Sequence, residues 1–161
     1  MTESLKKYLI LIYVAVPVLI LDQVTKAIIL RKLTLHQSLE VIPGFFNICY
    51  VRNKGAAFGV LNNLSPSLTR YLFIAVGILA VVVIAYLVNQ IKEDGRGMVI
   101  ALGLVLGGAV GNNLIDRVRW GEVIDFLDVY VKSYHWPVFN VADSAISVGA
   151  ILLAYQIIRR I

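Results

Sequence analysis

The chain has 161 residues, of which 59% are hydrophobic and 16% are charged, and its mean hydropathy is +0.80. Soluble domains carry roughly 25% charged residues, and a chain this short cannot bury so much apolar surface in its own core, so the composition excludes an ordinary soluble protein. The formal net charge is +5, but no basic run exceeds two residues, which makes anionic lipid headgroups a simpler partner than nucleic acid.

Four apolar segments are long enough to cross a hydrocarbon core of ~30 Å, which takes roughly 20 helical residues. The first is too long for a removed signal peptide and lacks a small-residue cleavage site. An even number of spans places both ends of the chain on one side, which we expect to be the cytoplasm. Basic residues occur on both sides, so charge alone does not fix the orientation. The predicted spans are residues 8–30, 71–91, 98–115 and 140–158.

We predict one four-helix membrane domain over residues 1–161, with extracytoplasmic segments at 31–70 and 116–139. A β-branched and aromatic run from Leu39 to Arg52, interrupted by Pro43 and Gly44, predicts a small hairpin or sheet. Ser65 before Pro66 predicts a helix start, and hence a short surface helix ahead of the second span. The predicted class is an all-α membrane protein with four transmembrane helices, a small extracytoplasmic β-rich segment and a short interfacial helix.

Polar and small residues interrupt two of the spans. In the first, Asp22 and Lys26 lie four residues apart in the order that favours an ion pair on one helix face, and we interpret them as a pair that holds the helix end. In the third, Gly103, Gly107 and Gly111 recur every four residues, a pattern that lets helix backbones approach closely.

A burst of polar residues follows the third span, and most of it is typical of a solvated interfacial turn, including Arg119, Glu122 and Asp128. Asp125 differs because apolar residues flank it on both sides. A carboxyl in such a setting is either buried with a partner or raised in pKa by desolvation. Asp143 has similar apolar neighbours at the start of the fourth span, and Asn140 lies three residues before it, within hydrogen-bonding reach.

Asp125 and Asp143 can meet if the third and fourth spans pack side by side. Two close carboxyls do not both ionise easily and share a proton. The ionised one can take a proton from water while the protonated one donates to a peptide carbonyl. This pattern alone is also compatible with an ion pathway, since intramembrane acids serve both purposes.

Five motifs in order along the chain resemble the lipoprotein signal peptidases (signal peptidase II), the bacterial intramembrane aspartic peptidases. Each motif is weak alone, but together they are specific and span nearly the whole sequence. They are "DQVTK" (22–26), "VRNKGAAFG" (51–59), "GGAVGNNLIDR" (107–117), "VIDF" (123–126) and "FNVADSAI" (139–146).

The resemblance implies an enzyme of the bacterial cytoplasmic (inner) membrane whose catalytic pair, Asp125 and Asp143, lies towards the outer face. It implies a prolipoprotein substrate that carries a diacylglyceryl group on its cysteine and is cut just before that residue. It also implies inhibition by the cyclic peptide globomycin. Further positions that match the family's substrate path or polar surroundings are Asn53, Gly55, Arg117, Asn140, Asp22 and Lys26.

One motif departs from the family pattern by a single extra residue in "GGAVGNNLIDR". Counting back from Arg117 selects Asn113, and counting forward from Gly107 selects Asn112. Asn113 stands one helical turn before Arg117, so we prefer it as the residue that faces the pair. The extra residue could form a π-bulge, which is common near functional sites.

Two other functions fit parts of the sequence. A small proton-coupled transporter could use Asp22, Lys26, Asp125 and Asp143 as a relay, but it would be expected to show an internal repeat and acids at the midplane. A non-catalytic membrane scaffold could hold the acids in structural pairs. We expect no metal or cofactor because His36, His135 and Cys49 are isolated in the sequence, and we expect motion in "AAFGVLNN" (56–63).

Overall fold

The structure, a computed structural model, describes residues 2–55, 65–92 and 95–159, so the segment 56–63 lies outside it. Its helices are α1 (Glu3–Lys32), α2 (Pro66–Gln90), α3 (Arg96–Ala109), a π-helix (Val110–Asp116), α4 (Arg117–Trp120) and α5 (Val141–Ile158). Because α3, the π-helix and α4 run on as one rod, the described residues contain four helical rods that are long and apolar enough to cross a membrane. The prediction of four spanning helices is confirmed; three of them extend past the predicted bounds at one end or both, and Val141–Ile158 lies within the predicted 140–158.

The start of α2 corrects one expectation. Ser65 is its N-cap, with the side chain accepting a hydrogen bond from the Leu68 N–H at 3.3 Å, and Pro66 occupies the first turn. The predicted helix start is therefore confirmed. However, the helix continues unbroken to Gln90, so within residues 65–92 the predicted surface helix is the first turn of the span itself.

Glycines allow α3 to pack closely between α1 and α5, its two main neighbours. A Cβ added at Gly107 would lie 2.7 Å from the carbonyl oxygen of Ala15 on α1. On the other side of α3, a Cβ at Gly108 would meet the carbonyl oxygen of Ala142 on α5. The close approach predicted from the glycine spacing is confirmed, since Gly103, Gly107 and Gly111 all face α1.

An antiparallel sheet covers one end of the helices. Its strands are β1 (Ser38–Ile42), β2 (Phe46–Asn53), β3 (Val123–Val131) and β4 (Tyr134–His135), in that spatial order. The predicted hairpin is β1 and β2. Strand β3 was not predicted, because the apolar flanks of Asp125 indicated burial but not a strand.

Asp128 on β3 is not part of a solvated turn. It is only 6% exposed, and its carboxylate accepts a hydrogen bond from the Asn47 side chain at 2.9 Å and contacts the His135 ring at 2.8 Å. The pairing of β3 with β2 places Asn47 directly opposite Asp128 and explains the burial. Glu122 is partly buried and Arg119 is exposed.

The glycine contacts lead to a stability prediction. Gly107→Leu should destabilise the protein by roughly 2 kcal/mol or more, because the new side chain would force α1 away from α3, even though leucine favours helix more than glycine does. Ala154→Leu, at an exposed position of α5, is the matched control and should unfold like the wild type. Thermal unfolding in detergent measures both, and equal midpoints for the two variants would contradict the packing role of Gly107.

Candidate functional site

The two candidate carboxyls come from different kinds of element. Asp125 lies on β3, paired with Val51 of β2, within the segment 116–139 that follows the third span. Asp143 lies in the first turn of α5. Asn140 is the N-cap of that helix and forms a capping box with Asp143: its side chain accepts from the Asp143 N–H at 3.0 Å, and its own N–H donates to the Asp143 carboxylate at 3.1 Å.

Asn140 also bridges the two acids. Its side-chain nitrogen donates to Asp125 Oδ1 at 2.7 Å, while its backbone N–H serves Asp143. The remaining oxygen of each carboxyl accepts from another amide: Asn53 Nδ2 lies 2.9 Å from Asp125 Oδ2, and Asn112 Nδ2 lies 2.8 Å from Asp143 Oδ1. Three asparagines thus hold both carboxyls in fixed orientations.

Both carboxyls open onto one cavity of about 150 Å³. Asp125 is 2% exposed. Its pKa is raised to about 7, with burial as the largest cause; the nearby charge of Asp143 also raises the pKa, and hydrogen bonds from Asn53 and Asn140 lower it. At neutral pH the cavity can therefore contain a carboxyl that still holds its proton beside a second acid. The lining residues are Asn53, Gly55, Phe73, Asn112, Asn113, Arg117, Val123, Asp125 and Asp143.

The π-helix decides between the two adjacent asparagines. The predicted bulge is confirmed, since residues Val110–Asp116 form a π-helix. The preference for Asn113 was wrong: Asn112 is the residue that hydrogen-bonds Asp143 and also exchanges hydrogen bonds with Asn140. Asn113 lines the same cavity. Counting by α-helical turns fails here because a π-turn contains more residues than an α-turn.

A buried ionic cluster lies behind the carboxyls. The Lys26 ammonium is 2% exposed and lies 2.8 Å from Asp22 and 2.8 Å from Asp116. It also donates to Asn112 Oδ1 at 2.6 Å. The predicted pair of Asp22 and Lys26 is confirmed, but it is part of a larger network that includes an amide in contact with Asp143.

The same cluster fixes the beginning of α5. Asp22 Oδ1 accepts the backbone N–H of Ala142 at 3.1 Å. Asp116 accepts from Gln23 at 2.9 Å and from the N–H of Ile124, next to Asp125, at 3.4 Å. Sequence reasoning assigned no role to Asp116 or Gln23. A sequence feature could have identified Asp116: two acids, Asp22 and Asp116, lie near the ends of predicted spans, and Lys26 alone cannot neutralise both.

Two further predicted positions shape the wall of the cavity. Gly55 has a φ of +98°, and a Cβ there would collide with the ring of Phe73, so glycine is required. Its N–H donates to Asn53 Oδ1 at 2.8 Å and so orients the amide that serves Asp125. Arg117 is buried, with its guanidinium 4.4 Å from the centre of the Phe73 ring and a hydrogen bond to the carbonyl of Gly121 at 3.1 Å.

The fold and the site define a multi-pass membrane protein with a carboxyl pair at one end of its helices, an arrangement suited to proton transfer onto a bound substrate. A family model for signal peptidase (SPase) II matches residues 14–159, and the chain belongs to this family.

Two groups of known proteins are similar to this chain. A lipoprotein signal peptidase of Geobacter metallireducens is 55% identical over 141 residues, covering 88% of this chain and 85% of that protein. One of Syntrophotalea carbinolica is 52% identical over 150 residues, covering 93% and 91%. A bacterial membrane enzyme structure determined by the in meso method superposes with a TM-score of 0.82 at 39% identity, covering 92% of this chain and 87% of that one.

Removing the Lys26 charge should unfold the site. Lys26→Met leaves Asp22 and Asp116 buried without a cation, and breaking a buried ion pair in this way costs about 3–5 kcal/mol. Lys54→Met is the control: Lys54 is 69% exposed and 3.8 Å from Glu122, and such surface pairs contribute about 1 kcal/mol at most. Thermal unfolding of the two variants should differ by many degrees, and similar midpoints would mean that the cluster is not essential to stability.

The pKa of Asp125 predicts a pH dependence of stability. Because the folded pKa of about 7 exceeds the ordinary value of 3.8, the folded state binds the proton more tightly, so wild-type stability falls as pH rises through this interval. Asp125→Asn cannot ionise and should lack this loss. The thermal unfolding midpoint of Asp125→Asn minus that of the wild type should therefore increase from about pH 4 to about pH 7. Above about pH 7 this difference should stay constant. A gap that narrows over this range would contradict the raised pKa.

Proposed function

We propose that this protein is a membrane aspartic endopeptidase that removes signal peptides from diacylglyceryl-modified prolipoproteins by cleaving before the lipidated cysteine. The observation that carries the proposal is the pair Asp125 and Asp143, which share one cavity and are bridged by Asn140. The named relatives, lipoprotein signal peptidases at 52–55% identity, support it.

In the proposed reaction a water molecule between the carboxyls attacks the peptide carbonyl carbon. The ionised carboxyl accepts a proton from that water, and the protonated one donates to the carbonyl oxygen. When the tetrahedral intermediate collapses, the C–N bond breaks and the new amine of the cysteine takes a proton back from the pair. The raised pKa of Asp125 suits it to hold the shared proton at the start.

We assign supporting roles to the amides and to the buried cluster. Asn53, Asn112 and Asn140 orient the carboxyls through the hydrogen bonds described above. Asp22 and Lys26 position Asn112 and the start of α5. Arg117, Asn113 and Gly55 line the space that the substrate backbone would enter.

We further propose that the enzyme lies in the bacterial cytoplasmic membrane with both chain ends in the cytoplasm and the sheet on the outer side. Membrane lipids would then surround the exposed apolar side chains of the four spans, and globomycin-type inhibitors would bind at the carboxyl pair. A transporter is not favoured, because both acids lie at one end of the helical bundle and not at its midplane.

Cleavage of a lipidated precursor peptide tests the proposal. Asp125→Asn and Asp143→Asn should each lower the rate by about 10²–10⁴-fold or more, because each removes half of the acid–base pair, while the helical circular dichroism is retained. Asp128→Asn is the matched control on the same strand, since Asp128 is buried but does not line the cavity. A normal rate in either Asp125→Asn or Asp143→Asn would refute the assignment.

A further inference from the structure

A second cavity lies at the opposite end of the helices. It measures about 510 Å³ and is walled by α2, α3 and α5. Its side chains are mostly apolar, among them Leu87, Met98, Leu102, Leu153 and Ile157, with Lys92 at its mouth. We call it the inner groove. None of the residues that line it touches the carboxyl pair, and the proposed chemistry does not use it.

The inner groove and the catalytic cavity share the same three rods. Phe73 on α2, Asn112 on the α3 rod and Asp143 on α5 line the catalytic cavity. Leu87, Met98 and Ile157 line the inner groove, and each is fourteen residues from its counterpart on the same rod. Along α2 and α5, fourteen residues are nearly four α-helical turns, which return close to the same helix face and span about 21 Å.

Both cavities lie between the same three rods, and we call the gap between α2 and α5 that runs from one cavity towards the other the cleft. α2 and α5 make little or no contact with each other, and α3 lies between them as the floor. On α5 the stripe between the cavities continues through the apolar residues Ile146, Ala150 and Leu153 at alternating three- and four-residue steps. Ile146 and Leu153 are half-buried and Ala150 is exposed. On α3 the half-buried Val105 and Leu106 occupy the middle of the same interval.

We propose that this cleft binds the apolar segment of the substrate's signal peptide as a helix that reaches from the carboxyl pair to the inner groove. The inference rests on the proposed function. A signal peptide places its apolar region of 7–15 residues before the cleavage site, and as a helix this region is about 10–22 Å long, which matches the length of the cleft. The basic residues that precede the apolar region of a signal peptide would be repelled by Lys92. We therefore expect those basic residues to lie beyond the inner groove and not in it.

Shape is the basis of recognition in this cleft. Lipid chains are as apolar as leucine, so removing an apolar helix from contact with lipid gives no hydrophobic stabilisation. Association in the bilayer therefore depends on close van der Waals packing against a partner of matching shape. A signal peptide that fills the gap between α2 and α5 would make such contacts along three rods at once. The substrate would thereby be aligned with its cleavage site at Asp125 and Asp143.

Larger side chains that fill the inner groove test the proposal, with cleavage measured on two substrates. One is a full lipidated precursor, and the other is a lipidated peptide that keeps only the few residues before the cysteine. Leu87→Trp and Ile157→Trp should raise the KM of the full precursor about tenfold or more with kcat nearly unchanged, and should leave the short peptide unaffected. Leu79→Trp and Ile151→Trp are matched controls on the same helices, at positions 60% and 69% exposed, and should match the wild type with both substrates.

Cross-linking gives a measurement that does not depend on catalysis. In the Asp125→Asn enzyme, a benzophenone side chain at position 157 should react with the full precursor about fourteen residues before its cysteine, and one at position 151 should not. Equal KM values in the groove variants and the controls, or equal cross-linking from both positions, would overturn the proposal and assign the groove to bilayer lipid. Failure of the wild type to cleave either substrate would overturn the proposed function, and the cross-linking pattern would still decide whether the cleft holds the peptide.

Discussion

The buried ammonium of Lys26 organises the outer end of this molecule. An unpaired charge inside a membrane protein is unstable by several kcal/mol, so Lys26 requires its three acceptors Asp22, Asp116 and Asn112. These acceptors come from α1 and the π-helix, and Asp22 also holds the first turn of α5. The requirement to neutralise one cation therefore brings three membrane rods into register at the level of the site.

The carboxyl pair depends on this register. Asn112 contacts Lys26 through its oxygen and Asp143 through its nitrogen, so the orientation of one amide is fixed from both sides. Asn140 then links Asp143 to Asp125. Among the residues that the structure describes, this region contains four carboxyls and only two buried cations, Lys26 and Arg117. A proton retained by Asp125 lowers the excess of negative charge, in agreement with its raised pKa.

Sequence reasoning predicts the features that depend on local pattern. The four spans, the hairpin and the close packing at Gly107 follow from hydropathy, β-propensity and glycine spacing. Features that depend on long-range pairing do not follow: β3 forms only because β2 lies beside it, and Asp128 is buried only because Asn47 stands opposite. For the site, apolar flanks were sufficient to select Asp125 and Asp143 as unusual acids. The choice between Asn112 and Asn113 required the helical geometry, which is that of a π-helix at Val110–Asp116.

The π-helix also shows how such a rod accommodates a change in length. One extra residue in a regular α-helix would rotate everything after it by about 100° and move Arg117 away from Phe73. The additional residue that the motif resemblance implies falls within the seven-residue π-helix Val110–Asp116, between a glycine face that packs on α1 and an arginine that packs on α2. The change is confined to one wide turn, and the helix surfaces on either side keep their neighbours.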